Sequence, residues 1–133
     1  MNGRWLRGFE IAKAAAKHSN GRTTSHRMGA AMFSGSILIS IGFNKWGYTH
    51  PKSREFSREN PHDKNLHSEH SALLKRQYHN DKDLIMYVHR ENINGDPVCS
   101  KPCENCAFLM KEAGVRRVRF YDNEGNPSEM VLR

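Results

Sequence analysis

The feature that most constrains the fold is a pair of apolar runs, residues 28–33 and 37–43, separated by the tripeptide Ser34-Gly35-Ser36. Two such runs joined by a short glycine-containing linker are typical of a β-hairpin. Strict alternation in the second run would put four side chains on one face: Ile37, Ile39, Ile41 and Phe43. The opposite face would carry the remaining four: Leu38, Ser40, Gly42 and Asn44. The sequence therefore predicts a β-sheet that begins with this hairpin.

Helix and strand patterns alternate along the rest of the chain. Helical spacing of apolar residues covers three segments: residues 4–18, 67–79 and 103–113. Strand patterns cover three more segments: residues 84–89, 115–121 and 129–132. Turn residues at 94–97 and 122–126 separate them, and the second turn suggests that the last strand returns antiparallel to its neighbour. The order α-β-β-α-β-α-β-β predicts one mixed α/β domain, residues 1–133, with helices packed on a sheet.

Charge and cysteine content restrict the partners. The 21 Lys and Arg residues against 14 Asp and Glu give a net charge of +7, which favours phosphate, nucleotide or nucleic acid without choosing among them. No apolar stretch approaches the ~20 residues that span a bilayer, and the start lacks the apolar part of a signal peptide, so we expect a cytoplasmic protein without a membrane partner. Two of the three cysteines form Cys103-x-x-Cys106, which in a reducing compartment indicates metal or redox chemistry.

Two short motifs carry the candidate chemistry. Taken alone, His67-Ser68-Glu69 is more often a solvated helix start, and Cys103-x-x-Cys106 also fits a redox or structural zinc site. Each motif opens a predicted helix, where the partial positive charge of the N-terminus lowers thiol pKa values. Together, His67, Cys103 and Cys106 match the three-ligand set of a catalytic zinc, which leaves a fourth position for water or substrate.

Glu69 is the candidate general base. Two thiolates neutralise the charge of Zn²⁺ and acidify its water less than neutral ligands would, so a nearby base becomes important. Residues two apart in a regular helix do not face each other. We therefore expect His67 and Glu69 in the first helical turn, where both can reach the space beyond the helix end.

The segments His67-Ser68-Glu69 and Pro102-Cys103-Glu104-Asn105-Cys106 resemble the H-x-E…P-C-x-x-C signature of zinc-dependent cytidine/deoxycytidylate deaminase-like enzymes. The likeness covers about residues 4–121 and implies a three-layer α-β-α sandwich with a central mixed sheet of about five strands. It implies Zn²⁺ on the two cysteines and the histidine, and hydrolytic deamination by zinc-bound hydroxide at C4 of cytosine or C6 of adenine. Glu69 would move the proton from the water to the base nitrogen and to the leaving ammonia.

The sequence departs from this signature at two places. Ser68 stands where the family more usually has alanine, and His70 follows Glu69. Neither change should abolish zinc binding, although His70 is a competing i, i+3 neighbour of His67.

Four residues are candidate substrate contacts: Asn44, Ser68, Trp46 and Tyr48. In the deaminases that this chain resembles, an asparagine at the end of the second strand hydrogen-bonds the sugar or base, although Asn44 also fits an ordinary turn. The aperiodic stretch 45–66 mixes aromatic side chains with basic ones, which could supply stacking and phosphate contacts. A solvated loop explains the same composition equally well.

Three functions remain open. The first is deamination of a small cytosine nucleoside or nucleotide, because the antiparallel final strand resembles the small-substrate branch and no further helix follows Tyr121. The second is deamination of a base in RNA or single-stranded DNA, favoured by the charge. The third is a non-catalytic binding module in which Cys99 closes a structural zinc site as fourth ligand. A homo-oligomer is compatible with each of the three.

Overall fold

The computed structural model describes residues 1–19, 27–44, 68–75 and 83–133. Three helices lie in these ranges: α1 (Gly3–Ala16), α2 (Ser68–Lys75) and α3 (Glu104–Glu112). The strands there are β1 (Arg27–Ser34), β2 (Ile37–Phe43), β3 (Leu84–Glu91), β4 (Val115–Tyr121) and β5 (Pro127–Val131). The predicted element order is therefore confirmed for the described residues. In those ranges no helix has the length and apolar character of a membrane span.

The described strands form one mixed sheet in the order β2-β1-β3-β4-β5. β1 runs antiparallel to both β2 and β3, whereas β3 and β4 are parallel and their connection contains α3. Parallel neighbours need such a crossover, because a short turn can only reverse the chain. β5 pairs antiparallel with β4, from Tyr121 opposite Pro127 to Arg117 opposite Val131, which confirms the predicted return of the last strand.

Helices cover both faces of this sheet, as the predicted three-layer sandwich requires. Under α1, Phe9 and Ala12 pack on Phe33 and Tyr87 of β1 and β3. Under α2 and α3, a second core joins helix residues to the opposite sheet face: Ala72, Cys106, Met110, Met32, Met86, Val88 and Val118. Cys106 is thus a core residue as well as a candidate ligand.

A bulge in β2 changes the predicted faces of the hairpin. Met32 pairs with Ser40 but Phe33 pairs with Leu38, so Ile39 is an extra residue between the two pairs. Ile39 packs in the core under α2 and α3, whereas Ile41 packs in the core under α1. The prediction that alternate residues from Ile37 to Phe43 share one face is therefore wrong, because one inserted residue shifts the side-chain alternation.

The α1 face of the sheet also buries an imidazole–carboxyl pair. His89 Nε2 lies 3.0 Å from Glu91 Oε1, and the residues are 1% and 7% exposed. Desolvation by burial lowers the pKa of His89 below its ordinary value, although the hydrogen bond with Glu91 opposes this effect. Folding therefore favours the neutral imidazole.

Candidate active site

The first turn of α2 lies directly against the end of β2. A Cβ atom at Gly42 would come within 2.3 Å of the Ser68 carbonyl oxygen and of the Ala72 amide nitrogen. Only glycine therefore allows the helix backbone this close to the strand. Ser40 Oγ donates to the Ala72 carbonyl at 2.8 Å, and Ser71 Oγ accepts from the Phe43 N–H at 3.4 Å. These contacts fix the start of α2 on the sheet.

Glu69, in that first turn, is a buried carboxyl group. It is 1% exposed, and the fully buried Ser68 hydroxyl donates a hydrogen bond of 2.6 Å to its Oε1. None of the ion pairs between described residues includes Glu69. The carboxyl group is therefore held inside the protein by the hydroxyl of its own neighbour in the chain.

The two motif cysteines lie at the start of α3. Cys103 is the N-cap residue, and its Sγ accepts a hydrogen bond of 3.4 Å from the Cys106 N–H. Cys103 is partly exposed, whereas Cys106 is only 2% exposed. The sulfurs are therefore oriented by the helix start itself, in a turn that Pro102 precedes.

The surroundings of Cys106 favour its neutral thiol. Its hydrogen bond with Cys103, its burial and the neighbouring Glu69 raise its pKa well above the ordinary value. The expectation that the helix N-terminus lowers this pKa is wrong for Cys106, because its hydrogen bond with Cys103, its burial and the neighbouring Glu69 raise it instead. Since Cys103 and Glu69 both act on Cys106, the three side chains lie close together, although Glu69 comes from a different helix.

The donor set fits a thiophilic divalent cation. Cysteine sulfurs are preferred zinc ligands, and a bound cation would favour the thiolate that burial disfavours. Within the described ranges, no three or more His, Cys, Asp or Glu side chains group to hold a metal. Among these residues, Glu69 and Cys99 are thus not grouped with the two cysteines as a metal-binding set. His67, the predicted third ligand, lies outside the described residues.

Asn44 follows β2 and is 4% exposed. Its Oδ1 accepts hydrogen bonds from the Met28 N–H at 2.9 Å and from Ser19 Oγ at 2.5 Å. The amide oxygen thus joins the segment after α1 to the sheet. The roles of Asn44 and Ser68 in substrate binding stay predictions, and Trp46 and Tyr48 lie outside the described residues.

The sequence patterns do not reveal the supporting roles of three residues. Gly42 has a recognisable signal, because a glycine inside an apolar strand often marks a close backbone approach. Ser68 is a predicted substrate contact, but its bond to Glu69 depends on a rotamer that sequence does not show. Ser19 offered no signal, because its partner Asn44 is 25 positions away.

Comparison with known proteins places this geometry in a family. The chain matches the model of the cytidine and deoxycytidylate deaminase zinc-binding region over residues 6–122. No curated protein sequence matches the chain.

Solved structures show the same fold at low sequence identity. A cytidine deaminase from Burkholderia pseudomallei is 16% identical, with a TM-score of 0.64 over 99% of this chain and 94% of that chain. A cytidine deaminase from Mycobacterium leprae is 20% identical, with a TM-score of 0.62 over 98% and 95%. A dCMP deaminase from the cyanophage S-TIM5 is 19% identical, with a TM-score of 0.61 over 89% and 82%. Because the family model spans both motifs and most of the chain, this protein belongs to the cytidine and deoxycytidylate deaminase family.

Proposed function

We propose that this protein catalyses zinc-dependent hydrolytic deamination of a cytosine nucleoside or nucleotide, of the cytidine or dCMP type. The observation that carries the proposal is the buried Glu69 carboxyl beside the buried Cys106 thiol, where the first turns of α2 and α3 meet. A proton-transfer group and a metal-binding thiol in one site match the needs of metal-assisted hydrolysis. Membership of the family supports the same reaction class.

Three residues would hold the metal: His67, Cys103 and Cys106. The bound zinc would supply a Lewis acid that lowers the pKa of a water molecule and leave one position for that water or the substrate. Two thiolates weaken this acidification, since they neutralise the charge of the ion. The protein must then provide a base of its own, and Glu69 is the buried carboxyl at the site.

Glu69 would accept one proton from the attacking water and deliver it to the ring nitrogen N3, and would then carry a second proton from the new C4 hydroxyl to the departing amino group. The water oxygen bonds to C4, the C4–N bond breaks, and ammonia leaves a uracil ring. The Ser68 hydroxyl donates to Oε1 of this carboxyl group. Ser68 would thus be a positioning residue that holds the carboxyl in one orientation.

The test is ammonia release from cytidine, dCMP, adenosine and a cytosine-containing single-stranded oligonucleotide. We expect turnover of cytidine or dCMP. Glu69→Gln should keep its zinc and lose about 10²–10⁴-fold in turnover, as expected for a positioned acid–base group. Glu112→Gln makes the same change at an exposed position at the end of α3 and should retain full activity. Full activity in Glu69→Gln would refute the mechanism.

The net charge of +7 favours a second candidate, deamination of RNA or single-stranded DNA. A polynucleotide contacts many phosphates and its binding falls steeply with salt, whereas a mononucleotide responds weakly. Activity on oligonucleotides alone, with a steep salt slope, would replace the first proposal. Bound zinc without turnover on any substrate would favour the non-catalytic module, although Cys99 does not group with the other two cysteines among the described residues.

A further inference from the structure

A cavity of about 310 Å³ lies at the end of the sheet opposite the candidate active site. Its lining includes four arginines together with the β1–β2 turn and the start of β3: Arg4, Arg116, Arg117, Arg119, Gly35, Asp83, Leu84 and Ile85. β2 connects the two places, because it begins beside Gly35 and reaches α2 at Gly42. Seven strand residues correspond to about 20 Å, so the cavity is separate from the Glu69 site.

The carboxylates of the described residues only partly neutralise these arginines. Arg119 Nε donates to Glu129 Oε2 at 2.8 Å, and Arg117 lies 3.8 Å from the other oxygen of the same carboxylate. Arg116 lies 3.7 Å from the exposed Asp83. Arg4 is in none of the ion pairs between described residues. Counted over the described part of the chain, four guanidinium groups thus face two carboxylates, an excess of two positive charges.

The start of α1 increases this positive potential. A helix N-terminus carries partial positive charge, and acidic side chains usually stabilise it. The first turn of α1, which lies wholly within the described residues, has no acidic side chain and contains Arg4. This arrangement is unfavourable for the protein alone, whereas an anion between Arg4 and the strand arginines would make it favourable.

Arg119 is held as a fixed donor at this cavity. Its side chain is 10% exposed and bonds Glu129, and a further nitrogen donates to the Tyr87 hydroxyl. The guanidinium also stacks 4.7 Å from the centre of the Trp5 ring. A donor that is already ordered loses little conformational entropy when a ligand arrives. Arg4, Arg116 and Arg117 are exposed and can adjust around a ligand that Arg119 orients.

We propose that this cavity binds a phosphate-bearing anion through a diphosphate group. Guanidinium groups pair with phosphate oxygens in a planar, two-bond geometry, and several of them surround one space here. The cavity volume is at the lower end of the ~300–1,000 Å³ typical of small-molecule sites, which suits a diphosphate. Leu84 and Ile85, at the start of β3, also line the cavity. Inorganic pyrophosphate and the phosphate end of a nucleotide share this chemistry.

The test is calorimetric titration of the zinc-loaded protein with inorganic pyrophosphate at low and high salt. We expect saturable binding that weakens as salt rises. The double variant Arg4→Gln/Arg116→Gln should bind about tenfold or more weakly, as expected for the loss of charge-assisted hydrogen bonds. Lys17→Gln is the matched control, since it removes a charge about 20 Å away at the other end of α1, and it should leave the Kd unchanged.

Two further measurements keep the result unambiguous. The first is the Tm of the double variant, which checks that it still folds. Because Arg4→Gln removes a cation from the positive start of α1, we expect this Tm to be no lower than that of the unmodified protein. The second is the affinity for a nucleoside triphosphate. Tighter binding of the triphosphate than of pyrophosphate identifies a nucleotide as the ligand, whereas equal affinities for the two anions show that the protein recognises the phosphate groups alone. No binding of either anion, or equal pyrophosphate affinity in the double variant, would overturn the proposal. The outcome does not depend on deaminase activity.

Discussion

Replacing Gly42 with alanine would test how the sheet positions α2, the helix that carries Glu69. The new methyl group would lie 2.3 Å from the Ser68 carbonyl oxygen and from the Ala72 amide nitrogen, about 1 Å inside ordinary contact distance. Both atoms belong to the α2 backbone, so side-chain rotation cannot relieve the contact and the helix must move. Overpacking of this kind typically costs about 1–3 kcal/mol. For a domain of this size, that lowers the Tm by roughly 3–15 °C.

The same displacement should reduce turnover. Glu69 lies next to Ser68 in the turn that would be pushed away from the strand. A shift of about 1 Å in a catalytic group can cost about 10²-fold in rate. We therefore expect cytidine or dCMP deamination by Gly42→Ala to fall about 10²-fold, measured as kcat at a temperature where circular dichroism shows the variant fully folded.

Two other glycines provide matched controls. A Cβ at Gly29 would come within 2.0 Å of the Ala12 carbonyl oxygen and 2.5 Å of the Ala16 nitrogen, so Gly29→Ala should lose comparable stability by displacing α1. Because α1 carries none of the proposed catalytic groups, the folded variant should lose far less activity. Gly3→Ala has nothing within 4 Å and should be neutral or stabilising by up to about 1 kcal/mol. The reasoning fails if Gly42→Ala behaves like the unmodified protein, or if Gly29→Ala loses as much turnover.

Further predictions concern the metal, the positioning serine and the buried histidine. Elemental analysis should find no zinc in Cys103→Ala and a full complement of zinc in Cys99→Ser. Zinc that is lost in Cys99→Ser but kept in Cys103→Ala would instead place Cys99 in the site. Ser68→Ala removes the hydrogen bond to Glu69 and should lower kcat about tenfold with little change in KM, whereas a rise in KM alone would indicate a substrate contact. Burial lowers the pKa of His89 below 6.5, so the unfolded chain binds more protons and stability is lost as pH falls below about 6.5. Between pH 7 and pH 5, His89→Gln should therefore lose less in Tm than the unmodified protein, and equal losses would contradict this assignment.

Much of the fold follows from local patterns in the sequence. The helix α3 could be predicted because Pro102 and Gly114 mark its ends by their own backbone restrictions, whatever surrounds them. The hairpin could be predicted for the same reason, since Gly35 adopts a φ of +60° in the turn. The spacing Cys103-x-x-Cys106 also shows which sulfur atoms one helix start can bring together. These features need only residues that are neighbours along the chain.

The tertiary structure alone decided which residues meet and how deeply they are buried. The bulge at Ile39 arises from the register between two strands, which alternation within one strand does not specify. The pKa of Cys106 rises because of its hydrogen bond with Cys103, its burial and the neighbouring Glu69, although its position at a helix start predicted the opposite. The arginine cavity combines Arg4 with a strand that begins more than a hundred residues later. The sequence determined the chemical groups and their local conformation, whereas their pKa values and partners depend on distance and burial, which only the folded chain sets.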